Sequence, residues 1–259
     1  MKNPASILIT GASSGLGAAL AQYYAAPGVT LALSGRDEAR LKKVADLCMR
    51  KGAAVEIAVC DVTDRAAMEA WAAACDEKTP LDLVIANAGI SGGTGGVMGG
   101  EPVGQARAIF DVNLMGVLNT VEPVLPRMIE RGRGQIAFIS SMAGFRGFPS
   151  APAYSASKGA VRFYGEALRG ALGGTGVQVN VVCPGFVKSR MTDANDFPMP
   201  LLMEAGDAAR LIANGLARNK GRIAFPLPML FSAWFASILP DFLAQLILTR
   251  LPAKGKRSG

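Results

Sequence analysis

The alternation of short apolar runs with longer helical stretches constrains this chain more than any single residue does. Residues 6–10 form a β-branched apolar run that passes directly into glycines, and 16–24 read as a helix. Strand-like runs recur at 29–34, 55–60, 81–86, 135–140, 178–183 and 222–225, with helical stretches at 38–50, at 64–78 and around Tyr154. Strand alternating with helix is the pattern of βαβ units, which build a parallel sheet. The runs are nearly continuous in apolar residues, as strands buried on both faces must be. Asp37 stands where a side-chain oxygen can cap the helix at 38–50. The expected fold class is therefore α/β: a doubly wound parallel sheet with helices on both faces, in a single domain.

Composition limits what such a fold can do. A length of 259 residues suits one large α/β unit, and a chain 50% hydrophobic and 18% charged has ample core material and is not disordered overall. There is no histidine. A Ser-His-Asp triad and histidine-ligated zinc are excluded, and no metal site is expected. Catalysis has to draw on tyrosine, lysine, serine or carboxylates. Cys48, Cys60, Cys75 and Cys183 are scattered without a Cys-x-x-Cys pair, which reads as reduced thiols in a cytoplasmic protein. The first strand lies so near Met1 that no signal peptide is expected. The net charge of +7 gathers at Lys254, Lys256 and Arg257 and in a turn holding Arg127, Arg131 and Arg133. Such a balance suits an anionic membrane or a phosphorylated ligand. No basic stripe interleaved with aromatics is present, so nucleic acid is not an expected partner.

The first of the glycine clusters, Thr10-Gly11-Ala12-Ser13-Ser14-Gly15-Leu16-Gly17, lies between the first strand and the first helix. Glycines there permit a tight turn, close approach of a pyrophosphate and close helix packing, while the helix N-terminus offers free N–H groups. In that position the motif predicts a Rossmann-like dinucleotide site. At the end of the second strand, Ser34-Gly35-Arg36 puts glycine where a carboxylate would hold a ribose 2′-hydroxyl, and an arginine beside it suits a 2′-phosphate. NADP(H) is the preferred cofactor on this chemistry. NAD(H) remains open, with Asp37 on the ribose and Arg36 a solvated charge. Asp61-Val62 and Asn87-Ala88-Gly89 end the third and fourth strands on the same edge, where they can line adenine and ribose. Residues 91–100 hold six glycines in ten and fit either a mobile flap or a loose connection.

Tyr154 and Lys158 are four residues apart, hence one above the other on a helix. A tyrosine ordinarily ionises near pH ~10, and a fixed neighbouring cation lowers that value. Alone, the pair is an ordinary surface contact. In order along the chain, Thr10-Gly-x-x-x-Gly-x-Gly17, Asp61, Asn87-Ala-Gly89, Asn113, Ser141, Tyr154-x-x-x-Lys158 and Pro184-Gly185 together resemble the short-chain dehydrogenase/reductase family, in its compact branch. The resemblance spans about residues 5–225. It implies that Tyr154 is the acid protonating a carbonyl oxygen, and the base in reverse. Lys158 would depress the tyrosine pKa and hold the nicotinamide ribose. Ser141 would donate to the substrate oxygen and to the tyrosine, and Asn113 would anchor a relay water. Pro184, Gly185 and Val187 would line the nicotinamide pocket, with Ser189 near the carboxamide or phosphates. Ser140 is the rival serine, read as capping or packing. The implied activity is reduction of a ketone or aldehyde, or the reverse alcohol oxidation. An NAD-dependent alcohol or sugar dehydrogenase is the alternative, and a nucleotide-sensing binding protein the alternative of another class. A homodimer or tetramer is expected.

The chain departs from that family after residue 225. Residues 1–225 are read as the catalytic unit and 226–259 as an apolar extension with a basic tail. Pro240-Asp241 splits the extension into two short helices, neither reaching the ~18–20 residues a span requires. Trp234, Phe235, Phe242 and Leu246 fit peripheral contact with the inner face of a membrane, and equally fit packing on the protein itself or a dimer interface. Phe186, Phe197, Met199, Pro200, Leu201 and Leu202 suit a lid over a lipophilic substrate, with Met191 and Met203 adaptable in shape.

Overall fold

The computed structural model describes residues 3–95 and 100–250. Seven strands, β1 (Ser6–Ile9), β2 (Thr30–Gly35), β3 (Ala54–Val59), β4 (Leu83–Ala86), β5 (Gly134–Ile139), β6 (Val177–Pro184) and β7 (Arg222–Phe225), form one parallel sheet in the order 3-2-1-4-5-6-7. Between them run α1 (Gly15–Tyr24), α2 (Glu38–Met49), α3 (Arg65–Lys78), α4 (Gln105–Phe110), α5 (Gly116–Val121), α6 (Leu125–Glu130), α7 (Pro152–Ala171), α8 (Arg190–Asp193) and α9 (Ala205–Ala217). The expected doubly wound α/β class is the one observed.

Side-chain parity explains the two cores. Ile7, Ile9, Leu31, Leu33, Ile85 and Ile139 point to one face of the sheet, where Leu20 of α1, Leu41 and Val44 of α2 and Ile212 and Leu216 of α9 cover them. The alternate residues Leu8, Val84, Ala86, Ile136 and Phe138 meet Ala72, Val117, Val121, Met128 and Val161 on the other. Each fully buried aliphatic of this kind stabilises by about 1.5–3 kcal/mol. Strand β3 breaks the expectation that every strand is buried on both faces. It pairs only with β2, and its Ile57 and Val59 are 36% and 52% exposed.

Residues 105–130 are long and apolar enough to span a membrane by length and composition. Their Val117, Val121 and Met128 instead belong to the second core. Arg127, Arg131 and Arg133 sit in and after α6 and pair with Glu77, Asp76 and Asp82. That cluster is therefore a fold contact and not a ligand patch. Two further helices, α10 (Leu227–Ile238) and α11 (Asp241–Leu248), follow β7 as expected. The basic residues Lys254, Lys256 and Arg257 lie outside the described residues.

Strand β1 is flanked by β2 on one side and β4 on the other. The winding reverses there, and the crevice outside the strand carboxyl ends at such a point is where this architecture binds ligands.

Candidate active site

The glycine turn fills that crevice. Gly11 has a φ of +66°, and a Cβ on it would lie 2.8 Å from the Ala88 Cα. Gly17 packs against the Gly11 carbonyl and the Asn87 amide with no room for a side chain. Thr10 is buried, and its Oγ1 accepts from the backbone N–H of Asn87 (3.1 Å) and Ala88 (3.2 Å). The Asn87 amide donates back to the Thr10 carbonyl at 2.9 Å. Thr10 and Asn87 thus fix the turn across the switch point by holding each other. Ser13, Ser14 and Leu16 are partly exposed at the start of α1, and Ser14, its N-cap, makes no side-chain cap bond. The first-turn N–H groups of α1 are left for an anion.

At the end of β2, Ser34 is fully buried and its carbonyl accepts from Ala12 N at 2.8 Å, so it shapes the turn from beneath. A Cβ on Gly35 would stand 3.1 Å from the Ser13 side chain. Arg36 faces outward with its side chain 58% exposed, 3.5 Å from the Asp61 carboxylate. Asp37 is occupied as the N-cap of α2, accepting from Arg40 N and pairing with the Arg40 guanidinium, both at 2.9 Å. Burial acts to raise the Asp61 carboxyl, but bonds from Thr63 and the Arg36 charge outweigh it and hold it below the ordinary range. Val62 is buried, its carbonyl accepting from Asn119 Nδ2 at 2.9 Å.

The catalytic candidates surround the ends of β4 and β5. A tight 3-10 turn, Met142–Gly144, follows β5, with Ser141 as its cap. Ser141 hydrogen-bonds the Tyr154 phenol. Tyr154 and Lys158 lie on α7, whose backbone touches the turn: a Cβ on Gly144 would come within 2.7 Å of the Lys158 carbonyl carbon. Ser140 donates to the Lys158 carbonyl at 2.7 Å, which is the packing role expected of it. Lys158 is 4% exposed and its ammonium donates to the Ile139 carbonyl at 2.8 Å. A Cβ on Gly89 would stand 3.2 Å from Asn113 Oδ1 and 3.3 Å from Lys158 Nζ, so all three converge. Asn113 is fully buried in a π turn, Asp111–Met115. Its Oδ1 accepts from Ile90 N (2.8 Å), and its Nδ2 donates to the Ile90 carbonyl and to Ser157 Oγ, both at 3.0 Å.

Burial dominates the electrostatics. It pushes the Tyr154 phenol above its ordinary value, with only the Ser141 bond pulling down. It also lowers the Lys158 ammonium to about 8. The expected lowering of Tyr154 by Lys158 is not the net effect in this arrangement, because desolvation of the buried phenol outweighs the bond from Ser141.

Where the nicotinamide pocket was expected, Gly185 N donates to the Phe225 carbonyl at 2.8 Å, beyond Pro184 at the end of β6. Val187 bridges Met203. Ser189 caps α8 in a reciprocal box with Thr192, and a Cβ on Gly15 would lie 2.9 Å from the Ser189 Cβ. The glycine turn and the segment after β6 therefore meet. Residues absent from the sequence expectation also hold the site. Ser157 links Asn113 to the Tyr154 carbonyl, Asn119 anchors Val62, and Gln105 donates to the Gly93 carbonyl at 3.1 Å. With Thr94 N bonded to the Ser150 carbonyl, the first half of the glycine-rich stretch is tied down; residues 96–99 lie outside the described residues. A separate cavity of about 630 Å³ between the catalytic turn, α7 and Gln245 contains none of Ser141, Tyr154 and Lys158.

A parallel sheet with an uncapped helix at its switch point, and serine, tyrosine and lysine on the same edge, defines a dinucleotide-dependent α/β enzyme. Residues 5–197 match the family described as short chain dehydrogenase. The chain belongs to the short-chain dehydrogenases and is an NAD(P)-dependent oxidoreductase. It is 42% identical over 94% of its length to an uncharacterized oxidoreductase of Myxococcus xanthus, of which it covers 96%. Among solved structures it resembles a short-chain dehydrogenase from Sphingobium yanoikuyae in complex with NADPH (28% identity, 95% of this chain and 96% of that one, TM-score 0.79). It also resembles a short-chain dehydrogenase/reductase from Burkholderia phymatum in complex with NAD (26% identity, 99% of each chain, TM-score 0.83).

Proposed function

We propose that this protein is an NADPH-dependent reductase of ketone or aldehyde carbonyls, able to run in reverse as an alcohol oxidation, with residues 1–225 as its catalytic unit. The observation that carries the reading is the Ser141–Tyr154 hydrogen bond held one helical turn from buried Lys158. When bound, the nicotinamide supplies the hydride. Negative charge then develops on the carbonyl oxygen, and donors aimed there stabilise it. Tyr154 gives its phenolic proton to that oxygen, and Ser141 donates a hydrogen bond to it. Proton transfer of this kind is worth about 10²–10⁴-fold. The raised phenol pKa favours the protonated form that reduction needs. Lys158 holds the nicotinamide ribose, and Asn113, locked to Ile90 and Ser157, positions the relay water.

The preference for NADPH rests on the adenine end. Glycine at 35 with Ser13 close against it leaves no place for a ribose-binding acid, and the Asp37 carboxylate is taken by Arg40. Arg36, with its side chain 58% exposed, is the cation within reach there. Its pair with Asp61, half exposed, is worth only ~0–1 kcal/mol and yields readily to a phosphate. The same pair favours a second reading, an NAD-dependent alcohol or sugar dehydrogenase, if Asp61 keeps the guanidinium from the ligand. An apolar substrate is supported by the lid, where the Phe186 and Phe197 rings meet edge to face at 6.0 Å. A homodimer or tetramer belongs to this reading.

Titration of NADPH and NADH by intrinsic fluorescence, with turnover on a carbonyl panel, tests it. Tighter NADH binding would transfer the argument to the dehydrogenase reading, and full turnover by Tyr154→Phe would end both.

A further inference from the structure

Helix α10 carries no charged residue and has no buried one. Its Leu227, Phe231, Trp234 and Ile238 recur at helical spacing along one face, each more than half exposed. Helix α11 continues the surface with Phe242 and Leu246, 72% and 52% exposed. Asp241, the only acid of the two helices, is paired with Arg146 at 2.8 Å, and that guanidinium also donates to the Leu239 carbonyl at 3.0 Å. The corner between the helices is thus fastened to the loop that follows the catalytic turn. Every charged residue after α11 in the sequence is a cation: Arg250, Lys254, Lys256 and Arg257.

We propose that α10 and α11 form a docking face for an anionic membrane surface. A broad exposed apolar face with tryptophan and phenylalanine buries into the headgroup–acyl boundary, and flanking cations are drawn to anionic lipid. Helix α10, at 12 residues, and α11, at 8, are each too short to span, so this face lies along the surface. Charge decides between lipid and a second copy of the chain. A second copy offers the same uncharged face and the same cations, whereas anionic headgroups neutralise those cations. The face also adjoins the cleft, since α10 packs against the catalytic turn and its Met229 sulfur lies against Gly185.

The test uses the full chain and vesicles of phosphatidylcholine, with and without a third of the lipid replaced by phosphatidylglycerol. Trp71→Phe leaves Trp234 as the reporter, since the chain has two tryptophans. Flotation with the anionic vesicles, a blue shift of Trp234 emission and weakening by salt are the expected results. Phe231→Gln with Phe242→Gln should lower vesicle affinity by roughly ten-fold or more without changing the thermal midpoint, because both side chains are exposed. A chain that stays at the bottom of the gradient at low salt overturns the proposal. So does a solution dimer that the same double variant converts to monomer, since a second copy would then cover the face. Vesicle binding needs no turnover, so failure of the reductase reading would leave this result standing.

Discussion

Recognition along the carboxyl edge of the sheet is done in two different ways. On the β1–β2–β3 side Arg36 and Asp61, the groups to which the proposal gives the choice of cofactor, stand half in solvent and balance each other. On the β4–β5–β6 side Lys158 and Asn113 are buried, and each is fixed by hydrogen bonds to the backbone. Charges in water are cheap to rearrange, so the first side can change its ligand preference with little cost to the fold. Charges out of water shift their ionisation and cannot be moved without leaving an unsatisfied group. On the proposed roles, selectivity and chemistry are therefore separable.

Four measurements would break or sharpen that contrast. Tyr154→Phe, on the buried side, should lower kcat by about 10²–10⁴-fold with nicotinamide cofactor affinity nearly unchanged; a large loss of binding would mean that the phenol holds the ligand and does not transfer a proton. Arg36→Ala, on the exposed side, should weaken NADPH by roughly 10–100-fold while leaving NADH affinity and the thermal midpoint as they were. Equal loss for both cofactors would dissolve the assigned role. The third measurement follows stability against pH. Lys158 titrates at about 8 in the fold against its ordinary 10.5. The unfolded chain holds that proton more tightly, so Lys158 makes stability rise as pH climbs from about 8 to 10.5, and its cost is fully felt below 8. Urea midpoints on either side of that window should diverge in the native protein and diverge less in Lys158→Met. The smallest effect belongs to Asp61→Asn: at most ~1 kcal/mol of stability, with NADPH binding no weaker, since a competing partner for Arg36 is gone.

What the sequence disclosed follows the same division. Turns whose conformation admits few residue types, such as Gly11 and Gly17 against Ala88 and Asn87, are legible because sterics leave glycine little competition. Asp37 and Asp64 were legible as the starts of α2 and α3 because a cap is a local bond. The helices at 105–130 and 205–217 gave no comparable sign. The first is broken by a π turn and by the turn at 122–124 before α6, and α9 is rich in alanine and glycine. Strand β3 reads like its neighbours, and only its place in the strand order shows that one face is wet. Within the site, Ser157 and Asn119 were invisible for a related reason: each acts on a residue far along the chain, 44 and 57 positions away.

The π turn at Asp111–Met115 sets the phase of what comes after it. One residue more than a regular turn rotates the rest of the rod by about 100°. It is this rotation that lets Asn113 look toward Ile90 while Gly116 and Asn119, a few positions on, both look toward Val62. Deleting any single residue in that segment would keep a helical rod, yet turn Asn119 away from Val62. The contacts of Asn113 and of Asn119 are thus geared to one another through a single winding defect, and outside Asn113 this short stretch should tolerate substitution better than any change of length.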